Sequence, residues 1–175
     1  MISFELANKG CPYVKFLMAR HYSKPKGFVA RQIVYRIKFG CQYYGAIVFG
    51  SAIKNLDGRE IYGTLQNGMN NIFYHVYKVN DRYPLRIFTT SVLLAVEPLA
   101  VAEYHRKYND RVTWIESLVE LPRSGELYRR AGYIEVGMTK GFCCKREGGL
   151  STDTWTGRRV WSIGTPKRVF QKVLM

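Results

Sequence analysis

At 175 residues the chain has room for one domain with a real core, and 47% hydrophobic with 14% aromatic residues sets it far from a disordered composition. Lys and Arg total 27 against 13 Asp and Glu, and the resulting +14 exceeds what solubility asks of a small domain, so a polyanion is the expected partner. No stretch approaches the roughly 20 apolar residues of a spanning helix, and the opening MISFELANKGCPYVKF lacks the charged start and apolar core of a signal peptide, which points to a cytoplasmic protein with no membrane partner.

Residues 19–31, ARHYSKPKGFVAR, set His21 and Tyr22 among Arg20, Lys24, Lys26 and Arg31, and Pro25 with Gly27 stops a helix from running on. Residues 32–39, QIVYRIKF, alternate Ile33, Tyr35, Ile37 and Phe39 with Gln32, Arg36 and Lys38, which predicts a strand with one wet face. YYGAIVFGSA follows a short turn as a more buried strand, so residues 32–52 read as an antiparallel hairpin. A polar loop then leads to residues 72–79, IFYHVYKV, the expected central strand. The stretch NDRYPLRIFTTS is irregular, and Thr89, Thr90 and Ser91 are N-caps for the apolar segment VLLAVEPLAVAEYHRKY. Pro98 leaves two readings, a helix kinked there or one that begins at Glu97–Pro98. Residues 112–121, VTWIESLVEL, predict a strand, and SGELYRRAG predicts a short amphipathic helix closed by Gly132. A strand from Tyr133 and a late one around RRVWSIG complete an α+β order with a mixed sheet. Cys11 and Cys41 are isolated and Cys143–Cys144 adjacent, a spacing that fits neither a zinc knuckle nor a disulfide framework, so they read as reduced thiols.

Two features taken with this element order resemble the GNAT N-acetyltransferase fold: LYRRAGYIEVG, a short helix carrying a tyrosine and ending at glycine before a strand, and the hairpin ending in YYGAIVFG. The resemblance implies a single GNAT-like domain over residues 1–175, with a mixed, mainly antiparallel sheet flanked by helices. A sharper resemblance, to the phage Mom proteins that hypermodify adenine in DNA on this scaffold, rests on four blocks: RHYSKPKGF, FGSAIKNLDGREIYG, NNIFYHVYKVND and WIESLVELPRSGELYRRAGYIEVGMTKG. It implies a DNA-modifying transferase in a bacterial host cytoplasm, using an acetyl-CoA-like donor on an adenine flipped from double-stranded DNA. The implied product carries an acetamido- or carbamoylmethyl-type substituent, larger than simple acetylation would leave, and protects the DNA from restriction. An iron requirement is implied as well. The GNAT fold cradles the coenzyme pyrophosphate with a glycine-rich loop, but the matching stretch here contains no glycine. Amides of a helix capped by Thr89, Thr90 and Ser91, with charge from Arg82 or Arg86, are the expected substitute.

The exocyclic amine of adenine is a poor nucleophile, so transfer to it needs a positioned base and an activated donor. His21 is the candidate base, and Tyr22 stacks on the extruded base or shares a proton with His21. The fold resemblance gives Tyr128 the protonation of the departing thiolate. Glu116 on its predicted strand orients His21, ligates a metal, or sits on the wet side. His21 and Glu116 are the metal candidates for iron, with His75 a third ligand on the central strand. Arg20, Lys24, Lys26 and Arg31 form a front DNA-binding cluster, with Lys140, Lys145 and Arg146 further on and Arg158, Arg159, Lys167, Arg168 and Lys172 behind.

Overall fold

The computed structural model describes residues 2–8, 10–21, 31–53, 63–75, 85–139, 142–146, 159–163 and 165–174. Strand β1 (Ile2–Ala7) leads to helix α1 (Pro12–Arg20), where Pro12 opens the first turn at the position whose N–H has no helical partner anyway. Strands β2 (Gln32–Phe39) and β3 (Gln42–Ser51) form the expected hairpin, turning at Gly40 with φ of +60°. Strand β4 (Gly68–His75), helix α2 (Leu85–Tyr108), strand β5 (Trp114–Glu120), helix α3 (Glu126–Arg130) and strand β6 (Ile134–Met138) follow. Strands β7 (Phe142–Arg146), β8 (Arg159–Ile163) and β9 (Lys167–Val173) end the chain.

Seven strands make one sheet in the order β1-β2-β3-β4-β5-β9-β6, with β4 at its centre and every pair antiparallel except the parallel β4–β5 pair. Among the described residues the late strand expected around residues 158–164 pairs with β7 in a separate two-stranded sheet. The strand that joins the main sheet is β9, inserted between β5 and β6.

Two layers cover the sheet. On one face α2 lays Phe88, Val92, Leu93, Val96, Ala100 and Tyr104, spaced along a single stripe, against Phe49, Met69, Phe73, Ile115 and Phe170. Helix α3 packs on this same face through Tyr128 and Ala131. On the other face Val14 and Leu17 of α1 meet Val34, Ala46, Val48 and Tyr74. Among the described residues no helix is long and apolar enough to cross a membrane.

Helix α2 runs through Pro98, which selects the first of the two readings left open there. Pro98 and Leu94, whose carbonyl the proline leaves without a helical donor, are both exposed residues. The helix also starts before Thr89, so Thr89, Thr90 and Ser91 stand within it and none of them caps it. Phe88 extends the apolar stripe one turn earlier by packing edge-on to Phe39 at 6.0 Å. At its other end α2 closes with Asn109 at φ 55° and its N–H on the His105 carbonyl at 2.8 Å.

Candidate functional site

Strands β4 and β5 pair only from Gly68–Asn71 to Trp114–Ser117. Beyond that point β4 stays with β3 as far as His75 opposite Gly45, and β5 stays with β9 as far as Glu120 opposite Lys167. Among the described residues the backbone ladder between the two strands ends there, so the sheet opens at the carboxyl ends of its one parallel pair. Ser117 closes the base of the opening by donating its Oγ hydrogen to the Asn71 carbonyl at 3.3 Å. The inner edges of both strands carry backbone groups able to pair with an extended ligand.

Tyr128 stands on the α2–α3 face beside that base. Gly125 precedes α3 with φ of +76°, and the Phe170 ring lies where a side chain would stand, 2.2 Å from an ideal Cβ. That close approach seats the Tyr128 ring on Phe170, 5.7 Å between centroids at 25°, with Tyr133 edge-on at 5.3 Å. The Tyr128 hydroxyl donates to Asn71 Oδ1 at 3.2 Å, and Asn71 Nδ2 donates to the Tyr133 hydroxyl at 2.9 Å. Tyr133 donates in turn to Glu97 Oε1 at 2.6 Å, and Lys172 Nζ donates to Glu97 Oε2 at 2.6 Å. Glu97 is only 3% exposed, so its charge is compensated almost wholly by these two donors. Burial pushes the Tyr133 phenol well above its ordinary range, and the neighbouring Glu97 carboxylate adds to the effect.

His21 lies on the opposite face. Its N–H ends α1 on the Met18 carbonyl at 3.2 Å, and its ring stands edge-on to Tyr74 at 5.0 Å and 79°. Tyr74 belongs to the part of β4 beyond the last β4–β5 pair, so His21 flanks the opening from the α1 side. The structure therefore does not bring His21 and Tyr128 together in one contact; the sheet separates them. Burial raises the Tyr74 phenol strongly. Glu116 is fully buried, which removes the wet-side reading, and its Oε1 accepts the Ile53 backbone N–H at 2.9 Å. It stands abreast of Asn70 and Gln171 on the neighbouring strands.

The other expected site residues divide clearly. Tyr22, Lys24, Lys26, Arg82 and Lys140 lie outside the described residues, as does the side chain of His75. Arg86 sits at the start of α2, and Lys145 and Arg146 sit on β7. Thr89 is buried within α2 and Ser91 is exposed on it, so their expected place at a phosphate-binding helix end is corrected. Arg20 is exposed in the last turn of α1 with its guanidinium 4.2 Å from the Phe16 ring centre. Arg31 is ion-paired to Asp110 and lies 5.5 Å from the Tyr108 ring. Arg168 bonds to Glu135 at 2.7 Å and Lys172 to Glu97, so two of the rear cations serve as internal counter-ions. Among the described residues no group of three or more His, Cys, Asp or Glu is placed to hold a metal, and the side chain of His75, the third ligand expected for iron, lies outside them. Asn71, Tyr133, Glu97 and Tyr74 went unrecognised from sequence, and Lys172 was assigned to DNA instead of to Glu97. The available signals were a carboxylate inside an apolar helical run and a paired asparagine in a strand otherwise rich in aromatics.

Solved structures match this architecture end to end. A GNAT family acetyltransferase from Elizabethkingia anophelis with acetyl-CoA bound is 12% identical at a TM-score of 0.60, over 99% of this chain and 98% of that one. An acetyltransferase from Bacillus subtilis in complex with CoA is 11% identical at 0.62, over 100% of both chains. The chain has the GNAT fold. An IAA acetyltransferase from Bacillus cereus adds a third match, 12% identical at a TM-score of 0.58 over 99% of this chain and 100% of that one. No protein-family model and no curated protein matches the sequence. The mixed, mainly antiparallel sheet flanked by helices that the sequence led us to expect is thus the GNAT sheet, and the opening between β4 and β5 lies at its centre.

Proposed function

We propose that this protein is an acyltransferase that uses acetyl-CoA to modify an amine, and that the amine is the exocyclic nitrogen of adenine in DNA. The observation that carries the first part is the opening of the sheet beyond Asn71 and Ser117, flanked by Tyr128 on one face and His21 on the other. Solved neighbours of the same fold carry acetyl-CoA or CoA. The unpaired edges of β4 and β5 offer N–H and C=O groups to the amides of a pantetheine arm. The positive end of α2 offers amides to the pyrophosphate. Bound acetyl-CoA supplies a thioester whose acyl carbon joins the amine nitrogen as the carbon–sulfur bond breaks. Tyr128 gives its hydroxyl proton to the sulfur, and His21 takes the proton that the nitrogen loses. Proton removal and proton delivery then fall on opposite sides of one opening, which suits a donor and an acceptor entering from different faces.

The acceptor rests on two supports: the charge of +14 and the resemblance of residues 20–141 to the Mom proteins. Mass spectrometry of nucleosides digested from DNA of a bacterium expressing the protein tests it. The expected result is a heavier deoxyadenosine derivative, absent when Tyr128→Phe is expressed at the same soluble level. Coenzyme thiol release with a protein or small amine, beside unchanged deoxyadenosine, selects an ordinary N-acetyltransferase. Salt-sensitive DNA binding with no thiol release selects a non-catalytic DNA-binding module.

A further inference from the structure

The hydrogen bonds beneath Tyr128 can run in only one direction. Glu97 is a carboxylate paired with Lys172, so it accepts from Tyr133, and the single Tyr133 hydroxyl proton is spent on it. Tyr133 must then accept from Asn71, and only the Nδ2 end of that amide donates. Oδ1 is thereby turned toward Tyr128, which must act as the donor. Each assignment follows from the one before it, starting at a charge on α2 and a countercharge on β9.

We propose that Lys172, Glu97, Tyr133 and Asn71 form a positioning device that orders these hydrogen bonds and keeps Tyr128 a protonated donor, excluding it from service as a base. The proposal rests on the reading of Tyr128 as the acid of an acyl transfer and adds what holds it in that state. Ionised Tyr128 would set a phenolate oxygen against the Asn71 carbonyl oxygen, an arrangement the ordered amide cannot relieve by turning over. The amide also cannot pass a proton along, so the run is not a relay, and the proton that reaches sulfur is the one Tyr128 carries. At 3.2 Å the bond to Asn71 is long for an O–H donor, so that proton is held loosely enough to be redirected. Among the described residues Arg129 on α3 stands 5.3 Å from the Phe170 ring centre and is committed to Glu135 and the Ser124 carbonyl.

Tyr133→Phe is the decisive variant, since it keeps the ring, Glu97 and Lys172 and removes only the link. Asn71 is then able to turn its Nδ2 toward Tyr128, which favours the phenolate. The readout is NMR of the full chain labelled with carbon-13 at the tyrosine Cζ, the Tyr128 signal being identified among the 13 tyrosines by its loss in Tyr128→Phe. Tyr128 should ionise in Tyr133→Phe at a pH lower by about one unit, a tenfold change in proton affinity. The alkaline limb of the acyl-transfer rate should move down with it. Equal Tyr128 titrations in the two proteins overturn the proposal. Should Tyr133→Phe fail to fold, nuclear Overhauser contacts in the unaltered protein decide instead. Asn71 Hδ2 protons nearer Tyr133 support the ordering, and protons nearer Tyr128 overturn it. An ordered Tyr128 without any acyl transfer would sink the proposed function and leave this device standing; transfer with an unaltered titration would do the reverse.

Discussion

Glu97 and Glu103 lie two turns apart on α2, and their cations have very different worth. The Glu97 side chain is 4% exposed and that of Lys172 21%, so this pair lies largely out of water, whereas the Arg106 side chain bound to Glu103 is 71% exposed. Removing one member of a buried pair leaves the other charge uncompensated, and that is the costly event. Lys172→Met should lower the unfolding free energy by about 3 kcal/mol in urea denaturation, the lower end of the buried-pair range because Lys172 keeps some contact with solvent. Adding Glu97→Leu to it should restore most of the loss, since no charge is then stranded. Arg106→Ala should leave the urea midpoint where it was, because solvent already screens that pair. If Lys172→Met proves as harmless as Arg106→Ala, the Glu97 charge is not fixed by its partners, and the ordering of the bonds beneath Tyr128 loses its origin.

At the scale of elements, α3 depends on one backbone position more than on its five residues of helix. Gly125→Ala meets two penalties together, a φ of +76° and a Cβ 2.2 Å from the Phe170 ring. A cost of about 2–4 kcal/mol in unfolding free energy is expected, with a change in the near-ultraviolet circular dichroism as Phe170 moves from under Tyr128. An unchanged spectrum would mean that the ring has room to spare. This motif was legible in the sequence because glycine, amphipathic spacing and a following strand are local signals, and the β2–β3 hairpin was legible for the same reason. Strand β9 was not. It is buried on both faces, yet it carries Lys167, Arg168, Gln171 and Lys172, and a strand so polar reads as surface until its counter-ions are known. Those counter-ions, Glu135 and Glu97, stand 33 and 75 residues away. The start of α2 was misplaced because Thr89, Thr90 and Ser91 are good caps only where the preceding chain is not helical, and the contact of Phe88 with β2 decides that. Tyr128 and His21 were legible as chemistry, but the face of the sheet each would occupy was not, since it depends on how α1 and α3 pack.

The whole molecule carries its +14 through a set of ion pairs and buried phenols that set the pH range of stability. Hydrogen bonds from Lys38 and Tyr43 hold the Glu5 carboxyl below its ordinary value of 4.5. At Glu135 burial acts upward, but the bonds from Arg168 and Arg129 outweigh it and the net direction is down. For such groups the unfolded chain binds protons more readily than the folded one, so their contribution is complete above about pH 4.5 and is lost as pH falls through the depressed folded values. Protonating them also strips negative charge from a molecule already strongly positive, and self-repulsion adds to the loss. The phenols act at the other end. Burial raises Tyr74 and Tyr35, and burial with the Glu97 charge raises Tyr133. Their contribution is complete below the ordinary phenol value of 10.0 and is lost as pH rises through the raised folded values. The urea midpoint should therefore stay nearly level from about pH 5 to about pH 9 and fall on both sides. A midpoint that keeps rising as the solution is acidified from pH 5 to pH 3 would show that these carboxylates are not held by their cations. One that stays level past pH 11 would show that the buried phenols ionise in place, with Tyr133 then unable to hold its proton toward Glu97.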